Sequence, residues 1–182
     1  TNKEHPTLLC VGNAPTIKEA VSPAISCIGS VLMSQMNNPG KATSVFMVDE
    51  FPTILLQGID TFIGTARKHN VSTILAVQDF NQAVRDYGEK SANILKASCG
   101  TQAYGMTGNE KTAKDIENLF GEQKEAQESF SQQEGGGNSR TESLQKEKVL
   151  KAREVAGQSA GHFIGKIAGG KPPFFNVQMN MC

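Results

Sequence analysis

Two adjacent carboxylates, Asp49 and Glu50, are the residues of this sequence best placed to do chemistry. They directly follow an uninterrupted apolar run in the stretch S-V-F-M-V-D-E-F-P. Such a run is typical of a parallel strand buried on both faces, and ligands bind just outside the carboxyl ends of these strands. Acids there could help hold Mg²⁺ and polarise an attacking water, which is the form of a Walker B element. The alternative is an ordinary strand that ends in two exposed acids.

Gln78 and Arg67 are the other candidate site residues. A second apolar run, residues 71–77, ends at Gln78. If the two runs form neighbouring strands, the amide of Gln78 lies beside the acids, where it could hydrogen-bond a γ-phosphate or its water. Arg67 closes the predicted helix between the runs and could act as an arginine finger on a neighbouring subunit. Each has a structural alternative: a polar residue at a strand end, and a cation at a helix C-terminus.

These candidates need a scaffold of alternating strands and helices. Hydrophobic periodicity predicts strands over residues 7–11, 45–48, 71–77 and 99–106, and helices over residues 16–37, 57–69, 80–96 and 109–120. Alternation with short connections implies βαβ units, and hence an α/β fold with a mostly parallel sheet and helices on both faces. Two further apolar stretches, residues 162–167 and 174–181, predict an antiparallel hairpin at a sheet edge.

The composition changes along the chain. Residues 1–121 are predicted to form an α/β core without a Walker A segment. Residues 122–148 are rich in Gln, Glu and Ser with three consecutive glycines, so we predict a mobile polar loop. Residues 149–182 are predicted to add a helix and the β-hairpin that complete the same domain.

The composition and charge bound the class of protein. The chain has 182 residues, of which 38% are hydrophobic and 20% charged, as in ordinary globular domains. Lysine plus arginine equals aspartate plus glutamate at 18 each, so we expect only weak, salt-sensitive DNA binding. No apolar run approaches the roughly 18 residues that span a bilayer. The chain starts with threonine rather than methionine, which suggests a piece cut from a longer protein.

The cysteines and histidines do not form a metal-binding pattern. None of Cys10, Cys27, Cys99 and Cys182 is in C-x-x-C spacing, and the first three lie in apolar segments. We predict reduced, buried thiols, with disulfides or zinc as the alternative. The three histidines are isolated from one another, so no metal is assigned to them.

A phosphate-binding loop normally accompanies a Walker B strand, but the pattern G-x-x-x-x-G-K-[ST] occurs nowhere in this sequence. Residues 165–172, G-K-I-A-G-G-K-P, come within one residue of it but carry proline at the hydroxyl position. No predicted helix follows, so we predict a hairpin turn there. The sequence therefore predicts an incomplete P-loop NTPase fold that does not hydrolyse ATP alone. A dinucleotide-binding enzyme is disfavoured, because no G-x-G-x-x-G follows a strand.

Three stretches carry a family resemblance: V-F-M-V-D-E-F-P-T, T-A-R-K-H-N-V-S-T-I-L-A-V-Q-D-F-N-Q-A-V-R-D-Y-G and G-N-E-K-T-A-K-D-I-E-N-L-F-G. They resemble type IV secretion coupling proteins of the TraG/TraD kind, in the variant found on Bacteroides-type mobile elements. The resemblance implies the C-terminal part of a RecA-like motor domain, which as a hexamer pumps single-stranded DNA with ATP and Mg²⁺. Asp49 then matches the metal-side acid, Glu50 the catalytic acid, Gln78 the strand-tip glutamine and Arg67 the arginine at the subunit boundary.

The resemblance also implies partners and a location. Coupling proteins of this family bind relaxosome proteins and a type IV secretion channel, so residues 109–120 and the polar stretch after them are candidate docking surfaces. The chain would be a cytoplasmic domain of an inner-membrane-associated bacterial protein, without the family's Walker A segment and membrane helices. The alternative function is a non-catalytic interaction module that docks relaxosome proteins or neighbouring subunits.

Overall fold

The computed structural model describes residues 4–132 and 138–180, and the chain divides into two compact units, Thr1–Gly100 and Thr101–Cys182. The first unit contains, in chain order, α1 (Lys18–Met36), β1 (Ser44–Val48), α2 (Ile59–Ala66), β2 (Val71–Leu75), α3 (Phe80–Tyr87) and α4 (Glu89–Ser98). Short 3-10 turns cover Pro15–Ile17, Phe51–Thr53 and Arg67–His69. The first unit is therefore built from alternating strands and helices, as the periodicity predicts.

The strands β1 and β2 pair in parallel, in a register that runs from Ser44 opposite Val71 to Val48 opposite Leu75. The connection between them passes through α2, so the three elements form a βαβ unit. The buried side chains of β1, Phe46 and Val48, belong to one cluster with residues of the four helices. The ring of Phe46 meets the ring of Phe62 from α2 edge-on, with centroids 5.4 Å apart.

The other face of this strand pair is open in the first unit. Val45 is 60% exposed and Met47 is 64% exposed, and Ile74 of β2 is also exposed. The expectation that β1 is buried on both faces is therefore wrong within this unit, because the buried cluster covers one face only. The predicted strand over residues 7–11 is also wrong: residues 6–14 have no regular secondary structure, and they pair with no strand of the described residues. A short apolar run forms a strand only where a neighbouring backbone offers a ladder.

The second unit contains β3 (Gln102–Tyr104), α5 (Glu110–Phe120), β4 (Glu122–Gln132), β5 (Asn138–Lys148), α6 (Ala152–Ala156), β6 (His162–Lys166) and β7 (Phe174–Gln178). One antiparallel sheet has the order β3-β6-β7, and β4 pairs with β5 in a separate antiparallel sheet. The buried cluster of the second unit joins Ala113 and Ile116 of α5 to Val155 of α6 and Ile164 of β6. The predicted C-terminal hairpin is confirmed as β6 and β7. The fold class predicted from the sequence, mixed α/β with a C-terminal antiparallel pair, is also confirmed.

Two predictions for this region need correction. The predicted strand over residues 99–106 does not extend the parallel sheet, because its structured part, β3, pairs antiparallel with β6. The predicted polar loop over residues 122–148 contains β4 and β5, two paired strands of 11 residues each. The division between the two compact units falls after Gly100. Main-chain ladder bonds need no apolar side chains, so a composition that lacks a core can still form strands.

A glycine permits the close pairing of β3 with β6. A Cβ atom on Gly165 would lie 2.0 Å from the carbonyl oxygen of Gln102 and 2.5 Å from the ring of Phe175. Any side chain there would force the two strands apart. The sequence marks this position only as one of several glycines near the hairpin, so the packing reason is visible in the structure alone.

Candidate functional site

The acidic pair lies at the carboxyl edge of the parallel strands, immediately after β1. Asp49 is exposed and Glu50 is half-buried. Both sides of the pair are tied to one residue beyond β2: the amide of Ala76 donates to the carbonyl of Val48 (2.9 Å), and the amide of Phe51 donates to the carbonyl of Ala76 (3.0 Å). The two acids thus lie in a short turn that is bounded on each side by a main-chain hydrogen bond to Ala76.

The backbone of Glu50 is in the left-handed region, with φ 50° and ψ 46°. For a residue with a Cβ atom this conformation costs about 1–2 kcal/mol, and such outliers cluster at functional sites. The Glu50 amide donates to Oδ1 of Asp49 at 3.0 Å, which fixes the Asp49 carboxylate beside the turn. The 3-10 turn that follows has Pro52 in its first turn, where its fixed φ favours a helical start.

Gln78 lies at the same edge of the sheet as the acids. Leu75, the last residue of β2, pairs with Val48, and Gln78 follows it by three residues. Asp79 then caps α3, because its Oδ1 accepts a hydrogen bond from the amide of Asn81 at 2.9 Å. Gln78 is exposed, and within the described residues no hydrogen bond joins its side chain to either acid. The parallel register therefore brings all three residues to one edge, where Asp49 and Gln78 are exposed and Glu50 is half-buried.

Arg67 lies at the opposite edge. It begins the 3-10 turn between α2 and β2, and the amide of Asn70 donates to its carbonyl at 3.1 Å. The carbonyl of Asn70 accepts from the amide of Ser44, the first residue of β1, so this turn adjoins the amino ends of both strands. Within one chain the structure thus separates the exposed Arg67 from the acidic pair by the length of the strands.

Tyr87, the last residue of α3, contacts the segment that follows the acidic pair. Its hydroxyl donates to the carbonyl of Ile54 at 2.7 Å and accepts from the amide of Leu56 at 3.0 Å. Its ring lies 5.5 Å from that of Phe51, centroid to centroid. Burial raises the pKa of the Tyr87 hydroxyl above its ordinary value, so it stays a neutral donor at physiological pH. The spacing of residues in the sequence gives no sign of these partners of Tyr87.

The acids can take a magnesium ion only with help from other ligands. In the part of the chain that the structure describes, no group of three or more His, Cys, Asp or Glu side chains could hold a metal. Magnesium is usually held by one or two carboxylates together with waters and substrate phosphates. A pair of accessible carboxylates at a sheet edge fits that role, with a nucleotide supplying the remaining oxygen ligands.

The predictions for the cysteines and for residues 165–172 have separate outcomes. Cys10 and Cys27 are free and exposed, so their predicted burial is wrong, while Cys99 is partly buried and Cys182 lies outside the described residues. Burial raises the pKa of the Cys99 thiol. Residues 165–172 lie at the end of β6 and in the turn towards β7, as predicted for a hairpin rather than a phosphate loop.

Comparison with known proteins defines the class. The family model described as the TraM recognition site of TraD and TraG matches residues 43–159. The chain therefore belongs to this family, that of the C-terminal region of TraG/TraD-type conjugative coupling proteins. A comparison with curated protein sequences finds no match. Among the described residues, no helix combines the length and the apolar character that crossing a membrane requires.

Solved structures of the bacterial conjugative coupling protein TrwB share the fold. The unbound monoclinic form of TrwBdeltaN70 matches with a TM-score of 0.77 at 21% identity, over 91% of this chain and 39% of that chain. TrwB with the non-hydrolysable ATP analogue ADPNP matches with a TM-score of 0.73, and TrwB with ADP and Mg²⁺ with 0.72, each at 20% identity over 91% of this chain. The chain thus spans about two fifths of the length of these structures.

Proposed function

We propose that this chain is the C-terminal part of a conjugative-transfer coupling ATPase, which couples ATP hydrolysis to movement of single-stranded DNA through a type IV secretion channel. The observation that carries the proposal is the placement of Asp49, Glu50 and Gln78 at one edge of the β1–β2 pair. Family membership and the nucleotide complexes of TrwB, a protein of the same fold, support it.

Each residue has a distinct role in this proposal. Asp49, exposed and oriented by the Glu50 amide, is the carboxylate that would hold Mg²⁺ next to the nucleotide. Glu50 is the catalytic acid, which orients and polarises the attacking water. Gln78 hydrogen-bonds the γ-phosphate or that water. Its neighbour Asp79 caps α3, so a movement of Gln78 on nucleotide binding would be transmitted to the start of α3. A Mg²⁺ ion held by Asp49 would neutralise part of the phosphate charge.

The phosphate-binding loop must come from outside these residues. We therefore expect the 182-residue chain neither to hydrolyse ATP nor to bind it tightly, and the turnover test needs a longer chain that carries a glycine-rich phosphate loop. In that chain Glu50→Gln should lower kcat by about 10²- to 10⁴-fold while nucleotide binding is retained. Glu19→Gln, an exposed acid of α1, is the matched control and should leave kcat unchanged. Unchanged turnover in Glu50→Gln would reject Glu50 as the catalytic acid.

Arg67 is proposed to act on the nucleotide of a neighbouring subunit. Its position at the amino edge of the strands rules out contact with the acids of its own chain, so an arginine-finger role has to be in trans. In the longer chain Arg67→Ala should reduce kcat by about 10³-fold. Lys68 is adjacent and also exposed, so Lys68→Ala is the matched control, with little effect expected. Equal effects of the two substitutions would exclude a finger.

The remaining partners follow from the same proposal. They are single-stranded DNA, other subunits of a homo-hexamer, and the secretion channel at the bacterial inner membrane, reached through segments outside this chain. The chain would then be a cytoplasmic domain. Because its formal net charge is zero, we expect its own DNA binding to be weak and to fall with added salt. Tight, salt-insensitive binding by the 182-residue chain would contradict this expectation.

A second candidate function is docking of a relaxosome protein without catalysis, and the description of the family as a TraM recognition site favours it. The helix α5 buries Ala113 and Ile116 and leaves Lys111 and Lys114 exposed. If this helix docks the partner, Lys111→Glu with Lys114→Glu should weaken binding of a TraM-type protein. Lys41→Glu, an exposed lysine of the first unit, is the control. Binding that survives the α5 variants would place the docking surface elsewhere.

A further inference from the structure

The segment after the acidic pair is fastened at two places. At its start the Phe51 amide bonds to the carbonyl of Ala76, beyond β2. At its end the carbonyl of Ile54 and the amide of Leu56 both bond to the Tyr87 hydroxyl, at 2.7 and 3.0 Å. One phenol thus satisfies a donor and an acceptor of an irregular stretch that would otherwise need water.

The helix that holds the end of this segment is α3, which begins two residues after Gln78. Tyr87 is the last residue of α3, whose N-cap is Asp79, the residue next to Gln78. The Tyr87 ring also lies against that of Phe51, which directly follows Glu50 and is 4% exposed. Glu50 and Gln78 therefore belong to two segments that are joined at the sheet edge and again at the far end of α3.

We propose that Tyr87 is a positioning residue, which fixes the catalytic acid Glu50 relative to Gln78 by holding the 51–56 segment on α3. The proposal rests on the proposed function of the acidic pair. Its physical basis is that small misplacements of a catalytic group lower the rate strongly while substrate binding is kept. Tyr87→Phe tests it cleanly, because it keeps the ring contact with Phe51 and removes only the hydroxyl and its two hydrogen bonds.

The first experiment uses the 182-residue chain and needs no activity. Amide hydrogen exchange at Leu56 should become roughly fivefold faster in Tyr87→Phe, the change that corresponds to about 1 kcal/mol for one lost hydrogen bond. The amide of Ala76, bonded to Val48, should be unchanged and reports that the fold is intact. Tyr104→Phe is the matched control, since that hydroxyl donates to Gln102 in the second unit at 2.6 Å. Unchanged exchange at Leu56 would overturn the proposal.

The second experiment measures ATP turnover in the longer chain with the phosphate loop. Tyr87→Phe should lower kcat roughly tenfold with KM for ATP within about twofold, and Tyr104→Phe should change neither. Tyr87→Leu, which also loses the ring contact, should lower kcat further. If Glu50→Gln is inactive but both Tyr87 variants turn over at the full rate, the positioning role is wrong and the proposed function stands. If Glu50→Gln itself turns over normally, the proposed function fails.

Discussion

The two compact units organise their strands in opposite ways. The first unit pairs β1 and β2 in parallel through a helical crossover. This parallel register puts Asp49, Glu50 and Gln78 at one edge of the strand pair. The second unit pairs all of its strands antiparallel within the described residues, and none of the four predicted site residues lies in it. Parallel strands bring successive strand ends to one edge, whereas antiparallel strands alternate them, so a site made from strand tips belongs to the first unit.

The largest expected effect is on the free energy of unfolding, when side chains on the two faces of β1 are truncated. Phe46 is buried against Phe62, whereas the next residue, Met47, is 64% exposed. Phe46→Ala should lower the free energy of unfolding by about 3–5 kcal/mol, and Met47→Ala should change it by less than about 0.5 kcal/mol. Urea denaturation of the 182-residue chain measures both. A loss for Met47→Ala as large as that for Phe46→Ala would show that the open face of the parallel pair is covered.

A smaller effect should separate two glycines, one in each unit. Gly165→Ala places a Cβ against the carbonyl of Gln102 and the ring of Phe175, so it should cost about 1–3 kcal/mol of stability. Gly64→Ala, in the exposed part of α2 with nothing within 4 Å, should stabilise by about 0.5–1 kcal/mol, because alanine favours helix. Thermal melts measure the Tm of each variant relative to wild type, which should fall for Gly165→Ala and rise for Gly64→Ala. A neutral Gly165→Ala would mean that β3 and β6 do not approach as closely as described.

The smallest effect concerns alkaline pH and the Tyr87 hydroxyl in the first unit. Burial raises its pKa above the ordinary value of 10.0, so above that pH the unfolded chain releases this proton more readily than the folded one. The contribution of the neutral Tyr87 hydroxyl to the free energy of unfolding is therefore fully present below about pH 10 and is lost as the pH rises further. Wild type should lose more stability than Tyr87→Phe between pH 9 and pH 11, with Cys99 common to both chains. Equal losses would mean that Tyr87 titrates alike in both states.

Sequence patterns predict the first unit better than the second, for physical reasons. Continuous apolar runs and short connections predicted β1, α2 and β2, and parallel pairing puts Gln78 at the same edge of the sheet as Asp49 and Glu50. The strands β4 and β5 were missed because a polar ladder has no hydrophobic signature. The pairing of β3 with β6 was missed because antiparallel partners far apart in sequence leave no local signal. The contacts of Tyr87 with Ile54 and Leu56 span more than thirty residues and could not be read from spacing.

We propose that the acidic pair and Gln78 act together on one γ-phosphate and its attacking water, and a double-mutant cycle measures whether they act as a unit. In the longer chain, ATP turnover would be measured for Glu50→Gln, for Gln78→Ala and for both together. We expect the double variant to be about as slow as Glu50→Gln alone, because groups that act as a unit have strongly non-additive effects. Losses that multiply in the double variant would show that Glu50 and Gln78 act independently, and would contradict a shared role at the phosphate.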